Sequence, residues 1–140
     1  YVFGPVVSAG GEATNRGGYY EVEDTVHAAF RFSSGVTGTG EWCFVADDHN
    51  QADEIEITGS KGTIRLATFE VKPVELIVQG QKEVYPFERP DPIQGPLVQT
   101  IVDEFRGRGQ CPSTGRTALR TNRVMEEIVY GTGMPAGPDH

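Results

Sequence analysis

The chain has 140 residues, enough for one domain with a core of its own, and its 18 glycines and 9 prolines suggest many turns and strands. A net charge of −8 repels phosphate backbones and argues against nucleic-acid binding. No apolar run approaches the roughly 18 residues of a membrane span, and nothing at the start reads as a signal peptide. The two cysteines, Cys43 and Cys111, fit a reducing compartment better than a disulfide framework, so the expectation is a cytoplasmic protein with no membrane contact.

The chain begins at Tyr1 without Met and is already entering a strand, as expected of a fragment, natural or engineered. Residues 2–14 read as a strand interrupted by Pro5 and by Gly10-Gly11, where a bulge is expected. Residues 15–21, NRGGYYE, form a loop with two adjacent tyrosines. Tyr beside Gly in a loop suits ligand contact, and the alternative is one packed and one solvated ring.

Residues 22–46 are the organising hairpin. Val22, Val26, Ala28, Phe30 and Phe32 alternate onto one face, with Asp24 the exception. After a turn at Ser33-Ser34-Gly35, a second strand puts Val36, Gly38, Gly40, Trp42, Phe44 and Ala46 on one face. Each strand is expected to be about 35 Å long at roughly 3.3 Å per residue. The opposite face carries Thr25, His27, Ala29, Arg31, Thr37, Thr39, Glu41, Cys43 and Val45. It is small and mixed, neither strongly polar nor a normal core, and fits packing on another subunit.

Residues 47–53 form a polar loop. Hairpins follow at 54–67 and 74–87, with Ile55, Ile57, Ile64 and Leu66 on one apolar face. A helical stripe of Ile93, Leu97, Val98, Ile101, Val102 and Phe105 predicts a helix from about Pro92 to Arg106, with Asp91 as N-cap, a regular start near Gly95, and Gly107 at its C′ position. A second helix is expected from about Gly115 to Tyr130, capped by Thr114 or Ser113, then a disordered tail over 131–140. Strands first and helices last predict an α+β fold, with a large, mostly antiparallel open sheet and both helices on its apolar face.

Few residues suggest chemistry. Asp47, Asp48, His49, Asp53 and Glu54 match no metal-ligand spacing and read as a solvated acidic loop. His27 stands alone and reads as a packed or hydrogen-bonded residue. Gly38-Thr39-Gly40 lies inside a strand, Gly59-Ser60-Lys61-Gly62 is a hairpin turn, and no strand–helix–strand dinucleotide unit is present. No metal and no cofactor bound by this chain is expected.

Taken in order, Glu23-Asp24-Thr25-Val26, Phe30-Arg31-Phe32-Ser33-Ser34-Gly35-Val36, Gly40-Glu41-Trp42, the stretch Ile55 to Ile64 and Ser113-Thr114-Gly115-Arg116 resemble one family. It is the glucose–fructose oxidoreductase, inositol dehydrogenase and rhizopine-catabolism (Gfo/Idh/MocA) family, and the resemblance covers about residues 5 to 130. It implies a C-terminal substrate and oligomerisation domain over residues 1–130 whose parent enzyme binds NAD or NADP on an N-terminal Rossmann domain. Lys72-Pro73 follows Val71, so the family's Glu-Lys-Pro motif has no counterpart here. The resemblance implies no catalytic residue in this chain, which alone should not transfer hydride.

What the resemblance leaves to this chain is a wall of the substrate site. Asn15, Arg16, Tyr19, Tyr20 and Trp42 are the substrate-contact candidates. Asn and Arg can hydrogen-bond sugar hydroxyls, and an aromatic ring can stack on a sugar face. Thr25, His27, Arg31, Thr37, Thr39, Glu41 and Cys43 are the interface candidates for a homo-oligomer. The competing readings are a non-catalytic self-associating structural module and a free-standing small-molecule-binding domain or small enzyme.

Overall fold

The structure, a computed structural model, describes residues 2–131. Seven strands precede two helices: β1 (Val6–Thr14), β2 (Thr25–Phe32), β3 (Thr37–Cys43), β4 (Ile55–Gly59), β5 (Gly62–Leu66), β6 (Val74–Val78), β7 (Gln81–Tyr85), α1 (Gly95–Phe105) and α2 (Gly115–Tyr130). The α+β class stands. The strands form two antiparallel sheets, β1-β2-β3 and β4-β5-β6-β7, where one large sheet was expected. The chain divides into two compact units, Tyr1–Ala46 with Cys111–His140, and Asp47–Gln110.

In the first unit the central strands are shorter than their alternation suggests, 8 residues in β2 and 7 in β3. Asp24 marks the start of β2: its carboxylate serves a loop, while its N–H donates to the Thr14 carbonyl at 3.0 Å and its carbonyl accepts from the Phe44 N–H at 2.8 Å. The turn is as expected: Gly35 takes φ 87° and its N–H donates to the Phe32 carbonyl at 2.9 Å. In β1 the bulge falls between Val6 and Ser8, while Gly10 and Gly11 stay in register with Ala29 and Ala28. Pro5 precedes the strand, and the Phe3, Phe30 and Phe32 rings cluster at this end, with centroids 5.3 and 5.7 Å apart.

Helix α2 packs on β1. Its contact is legible residue by residue: Ile128 is buried, and its side chain lies over Gly11, beside buried Ala28. Small residues in two paired strands make the seat into which one isoleucine fits. The helix starts at Thr114, whose side-chain oxygen accepts from the Thr117 N–H at 3.2 Å, and Thr117 returns the bond to the Thr114 N–H at 2.9 Å. This reciprocal cap satisfies two amide donors that the first turn cannot. Thr114→Ala is expected to cost about 1 kcal/mol, which thermal unfolding followed by circular dichroism would read as a fall of roughly 5 °C. Gly131 closes the helix at φ 60°, and the rest of the expected tail, residues 132–140, lies outside the described residues.

The second unit is a four-stranded meander. Pairings Ile55↔Leu66 and Ile57↔Ile64 keep the four expected apolar residues on one face, and Leu76 opposite Ile64 extends it. Gln79 and Gly80 both take positive φ, 51° and 79°, as a tight two-residue hairpin turn requires. Helix α1 begins at Gly95, with Gln94 rather than Asp91 before its first turn, and the Asp91–Pro92 peptide is cis. Gly107 sits just past its end at φ 68°. No residue of α1 is buried, and α1 belongs to the second unit while α2 belongs to the first. Among the described residues no helix is long and apolar enough to cross a membrane.

Candidate functional site

The loop between β1 and β2 is built around one carboxylate. Asp24 is fully buried, and its oxygens accept from the Arg16 N–H at 2.9 Å, the Gly17 N–H at 2.7 Å and the Thr25 hydroxyl at 2.9 Å. The Arg16 N–H bond above all, then those of Gly17 and Thr25 and the nearby Arg16 charge, hold the Asp24 carboxyl below its ordinary range against the opposing effect of burial. Asn15 closes the loop a second time: its oxygen accepts from the Gly18 N–H at 2.8 Å and its amide donates to the Tyr20 carbonyl. Gly18, at φ 65°, provides the left-handed turn.

The consequence is a preformed loop that displays side chains. Tyr19 is 82% exposed, Tyr20 and Arg16 are exposed, and Arg16 is held through its backbone N–H. Asn15 is committed to the loop's own hydrogen bonds and acts first as a positioning residue. Gly17 packs against the Val45 side chain, where an added Cβ would stand 2.7 Å from it. Trp42 stands apart from this loop's hydrogen-bond network. Its indole lies over Gly40, two residues earlier on the same face of β3, and is 45% exposed.

The expected free face of the sheet carries a shallow concavity of about 550 Å³ lined by Gly10, Glu12, His27, Ala29, Thr39 and Glu41 among others. Register places Glu12, His27 and Glu41 in one row across the three strands, and Gly10, Ala29 and Thr39 in the next. His27 Nδ1 is 3.9 Å from Glu41 Oε2. Arg31 and Thr37 pair at one end of this face, and Cys43 is exposed at the other. Thr25 does not belong with the presented residues: it is fully buried, and its hydroxyl is used on Asp24 and lies 3.7 Å from Cys43 Sγ.

The acidic stretch 47–54 also differs from a simple solvated loop. Asp53 accepts from the N–H groups of Thr68 at 2.9 Å, Phe69 at 2.6 Å and Glu70 at 2.8 Å. The Glu70 N–H first, then those of Thr68 and Phe69 and the Lys72 charge, lower the Asp53 carboxyl from its ordinary range. Asp53 thus anchors the β5–β6 connection as Asp24 anchors the β1–β2 loop. Both were missed as loop organisers, and the signal for Asp24 was in the sequence: a carboxylate on an otherwise apolar strand face needs donors. Among the described residues no group of three or more His, Cys, Asp or Glu is arranged to hold a metal ion.

Comparison with known proteins finds this chain similar to the C-terminal domain of oxidoreductases. The family model described as the GFO/IDH/MocA C-terminal domain matches residues 1–65, a little under half of the chain. The oxidoreductase P35 of Formosa agariphila is 28% identical over 101 residues, 72% of this chain and 30% of that protein. Among solved structures, an Agrobacterium radiobacter oxidoreductase in complex with NAD+, L-tartaric acid and magnesium shares the fold at TM-score 0.75 and 18% identity, over 97% of this chain and 43% of that one. The WlbA dehydrogenase of Bordetella pertussis, in complex with NADH and UDP-GlcNAcA, gives TM-score 0.69 at 23% identity, over 96% and 40%. An aldose-aldose oxidoreductase of Caulobacter crescentus, complexed with glycerol, gives 0.71 at 18%, over 91% and 38%. The chain therefore spans less than half the length of these relatives, and the structural likeness is one of fold.

Proposed function

We propose that this chain is the substrate-facing and self-associating part of an NAD(P)-dependent oxidoreductase acting on a sugar, polyol or related compound, with cofactor and catalytic groups held by the rest of the parent protein. One observation carries the reading: nearly the whole chain, 97%, matches well under half of an oxidoreductase that is named with NAD+ bound. Hydride transfer needs a nicotinamide placed against the substrate carbon and a base for the hydroxyl proton. A wall that binds hydroxyls and excludes water complements those groups without duplicating them.

The loop 15–21 suits that task chemically. Arg16 offers a fork of donors, and the exposed Tyr19 ring offers a flat apolar face with a hydroxyl at its edge. Because Asp24 and Asn15 fix the backbone between them, these side chains are presented without a large ordering cost on binding. The free face of β1-β2-β3, with its small central row, suits a second copy of the chain.

The test uses the parent protein, expressed from the coding sequence that contains this chain and assayed with NAD and NADP against a panel of sugars and polyols. Tyr19→Ala and Arg16→Ala are each expected to raise KM about tenfold with kcat changed less than about threefold, the signature of lost binding in ground and transition states alike. Unchanged KM in both variants would remove the loop from the substrate site. The non-catalytic alternative predicts no turnover of any compound by the parent.

A further inference from the structure

The loop that displays Arg16 leaves its charge uncompensated. Arg16 is the only lysine or arginine in the first 30 residues, a stretch that holds the carboxylates Glu12, Glu21, Glu23 and Asp24. Exposed arginines elsewhere in the chain find such partners: Arg65 pairs with Glu56 at 2.8 Å and Arg108 with Asp103 at 2.7 Å. Arg16 pairs with none of its four. Among the described residues its guanidinium makes no ion pair and no hydrogen bond. The reason lies in the loop's own bonding. Asp24 is fully buried, and its oxygens are taken by the N–H groups of Arg16 and Gly17 and by the Thr25 hydroxyl. Glu21 and Glu23 are exposed and form no ion pair with Arg16.

The unpaired guanidinium is carried on fixed backbone, since the Arg16 N–H is tied to Asp24 at 2.9 Å and the Gly17 N–H at 2.7 Å. The Tyr19 ring lies against Gly17, where an added Cβ would stand 2.9 Å from Tyr19 Cδ2. A ligand seated on this loop therefore meets a flat ring and a free cation on either side of one glycine. A neutral hydroxyl uses the donors of a guanidinium and leaves its charge idle. A carboxylate uses both, in a two-pronged bond roughly twice as strong as a neutral one. A phosphate monoester carries about −1.5 to −2 charges, more than a single cation set among four carboxylates can offset.

We infer that the substrate is a sugar acid, whose carboxylate takes the free guanidinium of Arg16 while its ring lies on Tyr19. This rests on the reading of loop 15–21 as part of the substrate site and narrows it to one class of compound. The rise in KM expected above for Arg16→Ala then belongs to acidic substrates, and Arg16 becomes the residue that separates them from neutral sugars of the same shape.

The experiment assays the parent protein, with NAD and NADP, on pairs of compounds that differ in one carboxylate: glucose against glucuronate and galactose against galacturonate, with glucose 6-phosphate as the phosphate. Wild type is expected to favour the acid of a pair at least about tenfold in kcat/KM. Arg16→Met keeps the apolar stem and loses the charge. It is expected to raise KM for the acid about tenfold or more, and for the neutral sugar less than about threefold. Arg16→Lys keeps the charge without the fork and is expected to fall between. Added salt is expected to raise KM for the acid alone. Tyr19→Ala serves as the control for the site, since it is expected to raise KM for both members of a pair alike. If Arg16→Met raises KM equally for acid and sugar, or the sugar is the better substrate of each pair, the inference is overturned while the loop keeps its place in the site. A response to Arg16→Met confined to glucose 6-phosphate overturns it in favour of a phosphate. Unchanged KM in both the Arg16 and the Tyr19 variants removes the loop from the site, and the inference with it. Where neither member of a pair is turned over, calorimetric binding of the same compounds to the NADH-loaded parent reads the same contrast, and binding of neither acid overturns the inference.

Discussion

Gly11→Ala is expected to destabilise the chain by about 3 kcal/mol, while Gly10→Ala, one residue earlier, stays within about 1 kcal/mol of wild type. The two glycines look alike in sequence and differ in what surrounds them. A Cβ on Gly11 would stand 2.2 Å from the His27 carbonyl oxygen and 3.0 Å from the Ile128 side chain. The first contact is with backbone of the paired strand and cannot be relieved by a rotamer. The second pushes on the isoleucine that seats α2 on β1. Relief requires the β1–β2 ladder to open or the helix to lift, and both expose what little apolar surface this unit buries, Ala28 and Ile128 among it. A Cβ on Gly10 meets nothing within 4 Å, because that residue faces the open side of the sheet. Urea unfolding of the two variants reads the difference. Equal stabilities would mean that α2 does not rest on Gly11.

Asp24→Ala is expected to lower the melting temperature by roughly 5–10 °C and to open residues 15–21 to proteolysis and amide exchange. Removing the carboxylate leaves the N–H groups of Arg16 and Gly17 and the Thr25 hydroxyl without their acceptor. The same carboxylate predicts a pH dependence. Its folded-state affinity for protons is lowered from the ordinary value of 3.8, so the unfolded chain takes up a proton first as the medium is acidified. The stabilisation is whole above that ordinary value and is lost as pH falls through the lower, folded-state value. Wild type therefore holds its loop at pH 5 and loosens it only in strong acid. Asp24→Ala removes this share of the acid dependence and leaves that of Asp53, whose shift has the same sign. Exchange rates of the amides of residues 16–18 at pH 5 in both proteins distinguish an anchored loop from one that was never held. Unprotected amides in wild type would contradict the anchor.

Much of the secondary structure was legible because its signals are local. Thr114 before a helical stripe names a cap, and Gly35 and Gly107 mark positions that require positive φ. Alternation in residues 25–32 names a strand with two different faces, and pairing followed from short connections. Those features depend on a few neighbours in sequence, so composition and period reveal them. The displayed tyrosines and Arg16 were legible as loop residues for the same reason.

Other features had no local signature. Asp24 read as an exception on an apolar face; only the return of residues 16 and 17 to its carboxylate turned the exception into the loop's anchor. Thr25 alternated correctly onto the mixed face and was still lost to it, since its hydroxyl is tied to Asp24 and lies close to Cys43 in a fully buried place. The division into two sheets, with α2 on β1 and α1 in the other unit, was likewise decided in three dimensions. Sequence alone determined the α+β class, the hairpins, the Thr114 cap of α2 and the family likeness, because propensity, period and turn chemistry act over a few residues. Tertiary structure decided which carboxylates are anchors, which glycine admits no side chain and which charges share a row, because hydrogen-bond acceptors and steric contacts are shared between residues far apart in the chain.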